Sequence, residues 1–332
     1  MIEVSHLTKS FTQYEKESGL MGLLKGFFNA KKKTITAVDD VSFTINEGEI
    51  VGYIGANGAG KSTTMKMLTG ILTPTHGEVC VNGIIPHKDR VKNALNIGVV
   101  FGQRTQLWWD LPLGESFTIL KEIYLINDLD YQQKMKELND ILDLNEFIKA
   151  PVRTLSLGQR MRADIAASLL HNPKILYLDE PTIGLDVNAK LKMRQAIKQM
   201  NEKFKTTVIL TTHDLDDIEE LCSRILVIDQ GRLIYDGDLA TIKEKYGSTL
   251  NLHFQLKEEI NSIEEIKSRL EFEADVVLKL TDLGLTLEFD KRLHKVGTLT
   301  HKVMSHFEVL DMSISETSIE KIVGDIYREG KV

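Results

Sequence analysis

Hydrophobic positions along the chain follow two strand-like rhythms and one helical one. Ile2-Glu3-Val4, Val41-Ser42-Phe43-Thr44-Ile45 and Val79-Cys80-Val81 alternate apolar with polar, the period of strands with one buried face. Residues 50–54, 97–101, 175–178, 208–210 and 225–228 form short apolar runs instead. Such runs, separated by helical periodicity, predict strands buried on both faces, hence a mostly parallel sheet covered by helices. Residues 113–170 read as helical and polar, predicting a helical subdomain over about 104–170. Past Gly237 the composition shifts: Leu250, Leu252, Phe254 and Leu256 alternate, as do Leu285, Leu287 and Phe289, the signature of antiparallel strands in a small α+β unit. Thr317-Ser318-Ile319-Glu320 is a capping box expected to open a final helix through Ile326. The expected organisation is α/β, with a large domain over 1–240, a boundary near 237–247 and a C-terminal accessory domain over 245–332.

The apolar run ending at Ile54 leads into Gly55-Ala56-Asn57-Gly58-Ala59-Gly60-Lys61-Ser62, which fits G-x-x-x-x-G-K-[ST]. Thr63-Thr64-Met65-Lys66-Met67-Leu68 then reads as the start of a helix. Strand, glycine loop and helix form a phosphate cradle, because backbone N–H groups and the helix N-terminus converge on anionic oxygens. Glycine tolerates the positive φ that lets the backbone approach so closely. Lys61 is expected to reach the β- and γ-phosphates and the Ser62 hydroxyl to ligate Mg²⁺, with Thr63 completing the set that touches nucleotide.

A second run, Ile175-Leu176-Tyr177-Leu178, ends in Asp179-Glu180. Acids at a strand's C-terminal end face the crevice where ligands lie in open α/β sheets. Asp179 is placed to hold Mg²⁺ through water, and Glu180 to polarise the attacking water. His213, after residues 208–210, and Gln103, after residues 97–101, stand at comparable strand ends. Each on its own is more often an ordinary structural residue.

Composition narrows the field further. The 332 residues suit two domains, and 42% hydrophobic with 27% charged residues is ordinary for a globular protein. A formal net charge of −7 lacks the basic footprint of a nucleic-acid binder, so no nucleic-acid partner is expected. Cys80 and Cys222, the only cysteines, sit among apolar neighbours and are read as small core residues rather than a disulfide or zinc framework. The first residues lack a basic and apolar leader, and no run approaches the roughly 18 apolar residues of a membrane helix. A cytosolic protein is expected.

Leu155-Ser156-Leu157-Gly158-Gln159 completes the pattern. With the glycine loop, Gln103, Asp179-Glu180, Gly184-Leu185-Asp186 and His213, and in that order, the chain resembles the ATP-binding subunits of ABC transporters over about residues 1–240. One departure in this pentapeptide, the family's signature, is Leu157, where glycine is the commoner residue. The resemblance implies a RecA-like P-loop NTPase core with an antiparallel β subdomain and a helical subdomain, hydrolysing ATP with Mg²⁺. It implies Glu180, His213, Gln103 and Lys61 as catalytic residues and Ser62, Gln103 and Asp179 as metal-holding ones. Nucleotide contacts fall to Phe11, Gly55, Asn57, Gly58, Ala59, Gly60, Lys61, Ser62 and Thr63, with Phe11 stacking on adenine and Tyr14 a second aromatic nearby. Ser156, Gly158 and Gln159 are implied to contact ATP bound to a second copy, in a head-to-tail sandwich attached to membrane permease subunits at the cytoplasmic face. A tandem-cassette ribosomal ATPase and a coiled-coil chromosome ATPase fit poorly: the chain holds one cassette, and ordinary core and helical pattern fills the interval from Lys61 to Ser156.

Three segments lie outside that common core. Between residues 12 and 36, Leu20, Leu23, Leu24, Phe27 and Phe28 form a helical apolar stripe followed by Lys31-Lys32-Lys33. It reads as a helix docked on a membrane partner or bilayer, or equally as a helix packed on its own sheet. Leu107-Trp108-Trp109-Asp110-Leu111-Pro112 lies where the resemblance implies a surface that receives a membrane subunit, and its exposed aromatics would suit that role; the alternative is core of the helical subdomain. Residues 315–322 resemble the tail of drug- and polysaccharide-type exporter ATPases; this and the 12–36 insertion favour an exporter over an importer.

Overall fold

The computed structural model describes residues 1–14, 32–102, 104–246, 249–258, 262–270, 272–273, 275–281, 284–316 and 319–329. The chain divides into two compact units, Met1–Gly237 and Asp238–Lys331.

In the first unit, strand β1 (Ile2–Tyr14) lies between β2 (Lys32–Ile45) and β4 (His76–Val81) in an antiparallel sheet. A six-stranded sheet has the order β5 (Ile97–Phe101), β6 (Ile175–Asp179), β7 (Thr207–Thr211), β3 (Ile50–Gly55), β8 (Arg224–Asp229), β9 (Arg232–Asp238). The pairs from β5 through β8 are parallel, and the apolar runs of β3, β6 and β7 are buried along almost their whole length. That burial is the physical reason these strands carry no alternation. Tyr53, Tyr177, Ile209 and Leu226 of the parallel sheet share one core with Ile2, Val4 and Phe43 of the antiparallel one. Each large apolar side chain buried there contributes about 1.5–3 kcal/mol.

Register decides where the site falls. Phe101 pairs with Asp179, and Asp179 with Thr211, so β5, β6 and β7 finish side by side. β3 runs parallel to β7, which brings its glycine loop to the same edge.

Residues 12–14 and 32–36 belong to the arms of a long hairpin, with Gln13 opposite Lys33 and Tyr14 opposite Lys32. Lys32 and Lys33 therefore lie in strand β2. Thr12 and residues 33–36 are exposed, so burial selects no alternation there, which is why this stretch reads as an insertion. The apolar stripe from Leu20 to Phe28 lies outside the described residues. Cys222 is buried as expected, whereas Cys80 is only half-buried on β4; both are free thiols.

Helices Leu113–Ile123, Asp128–Leu142 and Leu157–Leu169 follow β5. Asn127 caps the second, its side chain accepting a hydrogen bond from the Asp130 amide, and the helix ends at Asp143 in the left-handed region (φ 50°). Lys134 of that helix is buried, its ammonium 3.4 Å from the Phe204 ring centroid and 3.1 Å from Asn172 Oδ1. Tyr124 stacks on His171 with centroids 4.0 Å apart, while His171 Nε2 donates to the Ile97 carbonyl at 3.0 Å.

Burial pushes the His171 imidazole down to about 4. The folded chain then refuses a proton that the unfolded chain accepts below about 6.5, so stability falls as pH drops through that window. Between pH 6.5 and 5 the loss is expected to reach about 2 kcal/mol. Urea unfolding of His171→Gln at pH 5 and 7.5 checks this: the variant is expected to lose less stability on acidification than the parent, and equal losses would refute it.

The second unit holds an antiparallel sheet of order β11 (Val277–Thr281), β12 (Gly284–Asp290), β10 (Thr249–Leu256), β13 (Val309–Glu316). Leu250, Leu252, Phe254, Leu285, Leu287 and Phe289 face one core with Leu299 and Val303 of helix Val296–Met304. β13 is an edge strand exposed along most of its length, so its sequence carries little periodic signal. The final helix runs Ile319–Glu329 and buries Ile322, Val323 and Ile326; Thr317 and Ser318 of the expected capping box lie outside the described residues.

Candidate nucleotide-binding site

The glycine loop joins β3 to helix Lys61–Leu68. Gly60, at φ 111°, is the helix N-cap and offers no side chain to the first-turn N–H groups, and no acid stands in that turn. Those donors are left for an external anion. A β-carbon on Gly60 would lie 2.4 Å from the Ala37 carbonyl oxygen, so both conformation and space require glycine. Gly58, at φ 84°, opens onto free space.

Lys61 is buried, and its ammonium donates to the carbonyls of Gly55 (2.5 Å) and Ala56 (3.2 Å). Burial pulls its pKa below the ordinary lysine value, opposed by the charges of Glu180 and Asp179. Asp179 at the end of β6 accepts a hydrogen bond from the Thr211 hydroxyl of β7. Glu180 takes the left-handed conformation (φ 54°), which costs about 1 kcal/mol outside glycine. Its Oε1 lies 2.7 Å from His213 Nε2. A histidine and a glutamate 33 positions apart in the chain thus meet at one point, an association that no local pattern announces.

Asp217 fixes that meeting. Wholly buried, it accepts hydrogen bonds from Thr182, two residues past Glu180, and from Thr212, next to His213, while Arg194 Nε donates to its other oxygen at 2.6 Å. Breaking such a buried pair from one side costs about 3–5 kcal/mol. No local pattern marks Asp217, the third residue of a short acidic helix Leu215–Leu221, where acids usually face water.

A cavity of about 930 Å³ gathers Phe11, Asn57, Gly58, Gly60, Lys61, Ser62, Thr63, Asp179, Glu180 and His213. Gly55 and Ala59 support it from behind, Gly55 through its carbonyl and the buried Ala59 through its own carbonyl bond to the Gly231 amide. Phe11 is partly exposed at the cavity rim, paired across the ribbon with Ile35. Lys66, Ala37, Arg104 and Ile183 line the same cavity, although no motif includes them. Lys66 stands one helical turn after Ser62, the spacing that places both on one face. Gln103 lies outside the described residues; its neighbours Gly102 and Arg104 line the cavity.

Ser156, Gly158 and Gln159 do not line this cavity. Ser156 caps helix Leu157–Leu169: its hydroxyl accepts from the Gln159 amide at 3.2 Å, and its own amide donates to Gln159 Oε1 at 2.9 Å. Ser156 and Leu157 are exposed, so the helix N-terminus is presented to solvent.

A glycine-rich phosphate cradle, a buried lysine and two consecutive carboxylates at the end of β6 define a P-loop nucleotide hydrolase. Comparison with known proteins narrows the class. The ABC transporter family matches residues 38–183. The chain is 33% identical over 231 residues to the ABC transporter ATP-binding protein NatA of Bacillus subtilis (strain 168), covering 69% of this chain and 94% of that one. It is 31% identical over 295 residues to the linearmycin resistance ATP-binding protein LnrL of the same organism, covering 88% and 93%. Among solved structures, an ATP-binding cassette in a dimeric post-hydrolysis state with ADP and Pi aligns with a TM-score of 0.59 at 27% identity, over 72% of this chain and 99% of that one. The chain belongs to the ATP-binding proteins of the ABC transporter family and is an ATP-hydrolysing enzyme of that type.

Proposed function

We propose that the chain is the ATPase subunit of an ABC exporter, working as a head-to-tail pair on separate membrane subunits at the cytoplasmic face of a membrane. The observation that carries the reading is the convergence of Lys61, Asp179, Glu180 and His213 on one cavity, with the Ser156 helix facing outward elsewhere. Among the described residues no helix is long and apolar enough to cross a membrane, which fits a subunit that borrows its membrane path from a partner. The export direction is supported by the resistance role in the name of the LnrL relative.

The phosphates of ATP would lie over the N-terminus of helix Lys61–Leu68, with Lys61 balancing the β- and γ-phosphate charge and Phe11 against the adenine. The Ser62 hydroxyl and Asp179, with Gln103, would hold Mg²⁺; these are hard oxygen donors suited to that ion, which when bound neutralises charge across the β- and γ-phosphates. Glu180 accepts a proton from the attacking water, and His213, already in contact with Glu180, keeps the carboxylate aimed and faces the γ-phosphate. Ser156, Gly158 and Gln159 of a second copy would close over the same phosphate through their helix N-terminus. ATP then favours the closed pair, and hydrolysis with phosphate release removes that preference.

Two measurements test the proposal. Affinity purification of the tagged full chain from membranes, with mass spectrometry, is expected to recover a membrane protein; recovery of none would overturn the subunit reading. Trp108 and Trp109 are both exposed, 37% and 47%, and the Arg160 guanidinium sits 4.5 Å from the Trp109 ring centroid, a surface arrangement rather than a core one. Trp109→Ala is expected to lower ATPase of the reconstituted complex by about tenfold while leaving nucleotide affinity unchanged. Unaltered turnover in the complex would remove this surface from the coupling path.

A further inference from the structure

Asp164 is a buried carboxylate that the nucleotide site does not use. It sits two turns into helix Leu157–Leu169 and is 6% exposed. Its Oδ1 accepts hydrogen bonds from the Thr105 hydroxyl at 2.7 Å and the Gln106 amide at 3.2 Å. The Gln106 side chain in turn donates to the Asp164 carbonyl at 3.3 Å. Thr105 and Gln106 are the second and third residues past Gln103, on the segment leaving β5 and the nucleotide cavity.

Ser156, Arg160 and Asp164 are spaced four apart, so they lie along one face of the helix from its cap inward. Each end of that face is tied to the segment after β5. Asp164 holds Thr105 and Gln106, Arg160 stacks on Trp109, and the Arg153 amide just before the helix donates to the Trp109 carbonyl at 2.9 Å. Burying an anionic carboxyl is unfavourable, and burial holds this one up at about 6 against the opposing Thr105, Gln106 and Arg160 interactions. Thr105 and Gln106 supply the donors that such a buried group requires.

We infer that Asp164 is a positioning residue for ATP hydrolysis: its carboxylate locks the Thr105–Gln106 segment to the signature helix, so that the exit from one nucleotide cavity and the Ser156 cap offered to the other copy move as one body. The inference rests on the reading that Ser156 acts on ATP held by a second copy. A catalytic donor displaced by about an ångström can cost about a hundredfold in rate, so a latch of this kind acts on turnover more than on binding.

The test uses the purified full chain with Asp164→Ala, Asp164→Asn, Thr105→Val and Ser156→Ala, reading kcat and ADP affinity, which needs only the glycine-loop side. Asp164→Ala is expected to lower kcat at least about tenfold with ADP affinity within about twofold of the parent. Asp164→Asn keeps an oxygen that accepts both bonds and is expected to retain most of the rate. Thr105→Val in the Asp164→Ala background is expected to add no further loss, since both act through one contact. Parental kcat in Asp164→Ala, equal impairment of Asp164→Asn and Asp164→Ala, or loss of ADP affinity in parallel with kcat would each overturn the inference. Ser156→Ala separates the two levels: parental turnover there removes the two-copy reading, whereas an impaired Ser156→Ala beside a normal Asp164→Ala removes the latch alone.

Discussion

Glu180→Gln is expected to bind ATP with near-parental affinity and hydrolyse it about 10²–10⁴-fold more slowly. The amide keeps the size of the side chain and can still meet His213 Nε2, now 2.7 Å from Oε1, but it cannot accept the proton of an attacking water. The backbone that aims residue 180 is held by the hydrogen bond its amide donates to the Thr211 carbonyl at 2.9 Å and by the hydrogen bond from Thr182 to Asp217, neither of which the substitution touches. With hydrolysis slowed, ATP is expected to hold the variant as a stable dimer, visible by light scattering. Near-parental turnover of Glu180→Gln would refute the role given to this residue.

The second large effect comes from mixing two inactive chains. Lys61→Ala removes the ammonium proposed to balance phosphate charge, and Ser156→Arg blocks the exposed helix cap. Each alone is expected to be nearly inactive, because both sites of a homodimer carry the defect. In a head-to-tail mixed dimer, one site receives both defects and the other neither. Random pairing then restores about a quarter of parental activity if the two sites act independently. If lysine and signature serine acted within one chain, no combination would regain activity. The assay is thus sensitive to geometry rather than to residue importance alone.

The glycine loop, the Asp179-Glu180 pair and the signature pentapeptide were legible because each is a contiguous string whose chemistry depends on local backbone. The parallel sheet was legible for a similar reason: strands buried on both faces must be apolar throughout. Strands β11 and β13 of the second unit were not legible, and β13 shows why. It is an edge strand with Leu310 and Ile314 exposed at 59% and 50%, so burial imposes no alternation on it. Thr12 and residues 33–36 of the hairpin arms are exposed and carry no alternation for the same reason.

The sequence by itself determined that this chain carries a glycine loop of the phosphate-binding pattern and a pair of carboxylates at one strand end. Only the tertiary structure decided which distant groups meet. His213 reaches Glu180 because β6 and β7 are neighbours in register. Buried Asp217 ties their two loops together, and Asp164 joins the segment after β5 to the signature helix. The physical reason is that local motifs are set by backbone conformation within a few residues, whereas these contacts are set by strand order and register, which arise from burying side chains far apart along the chain.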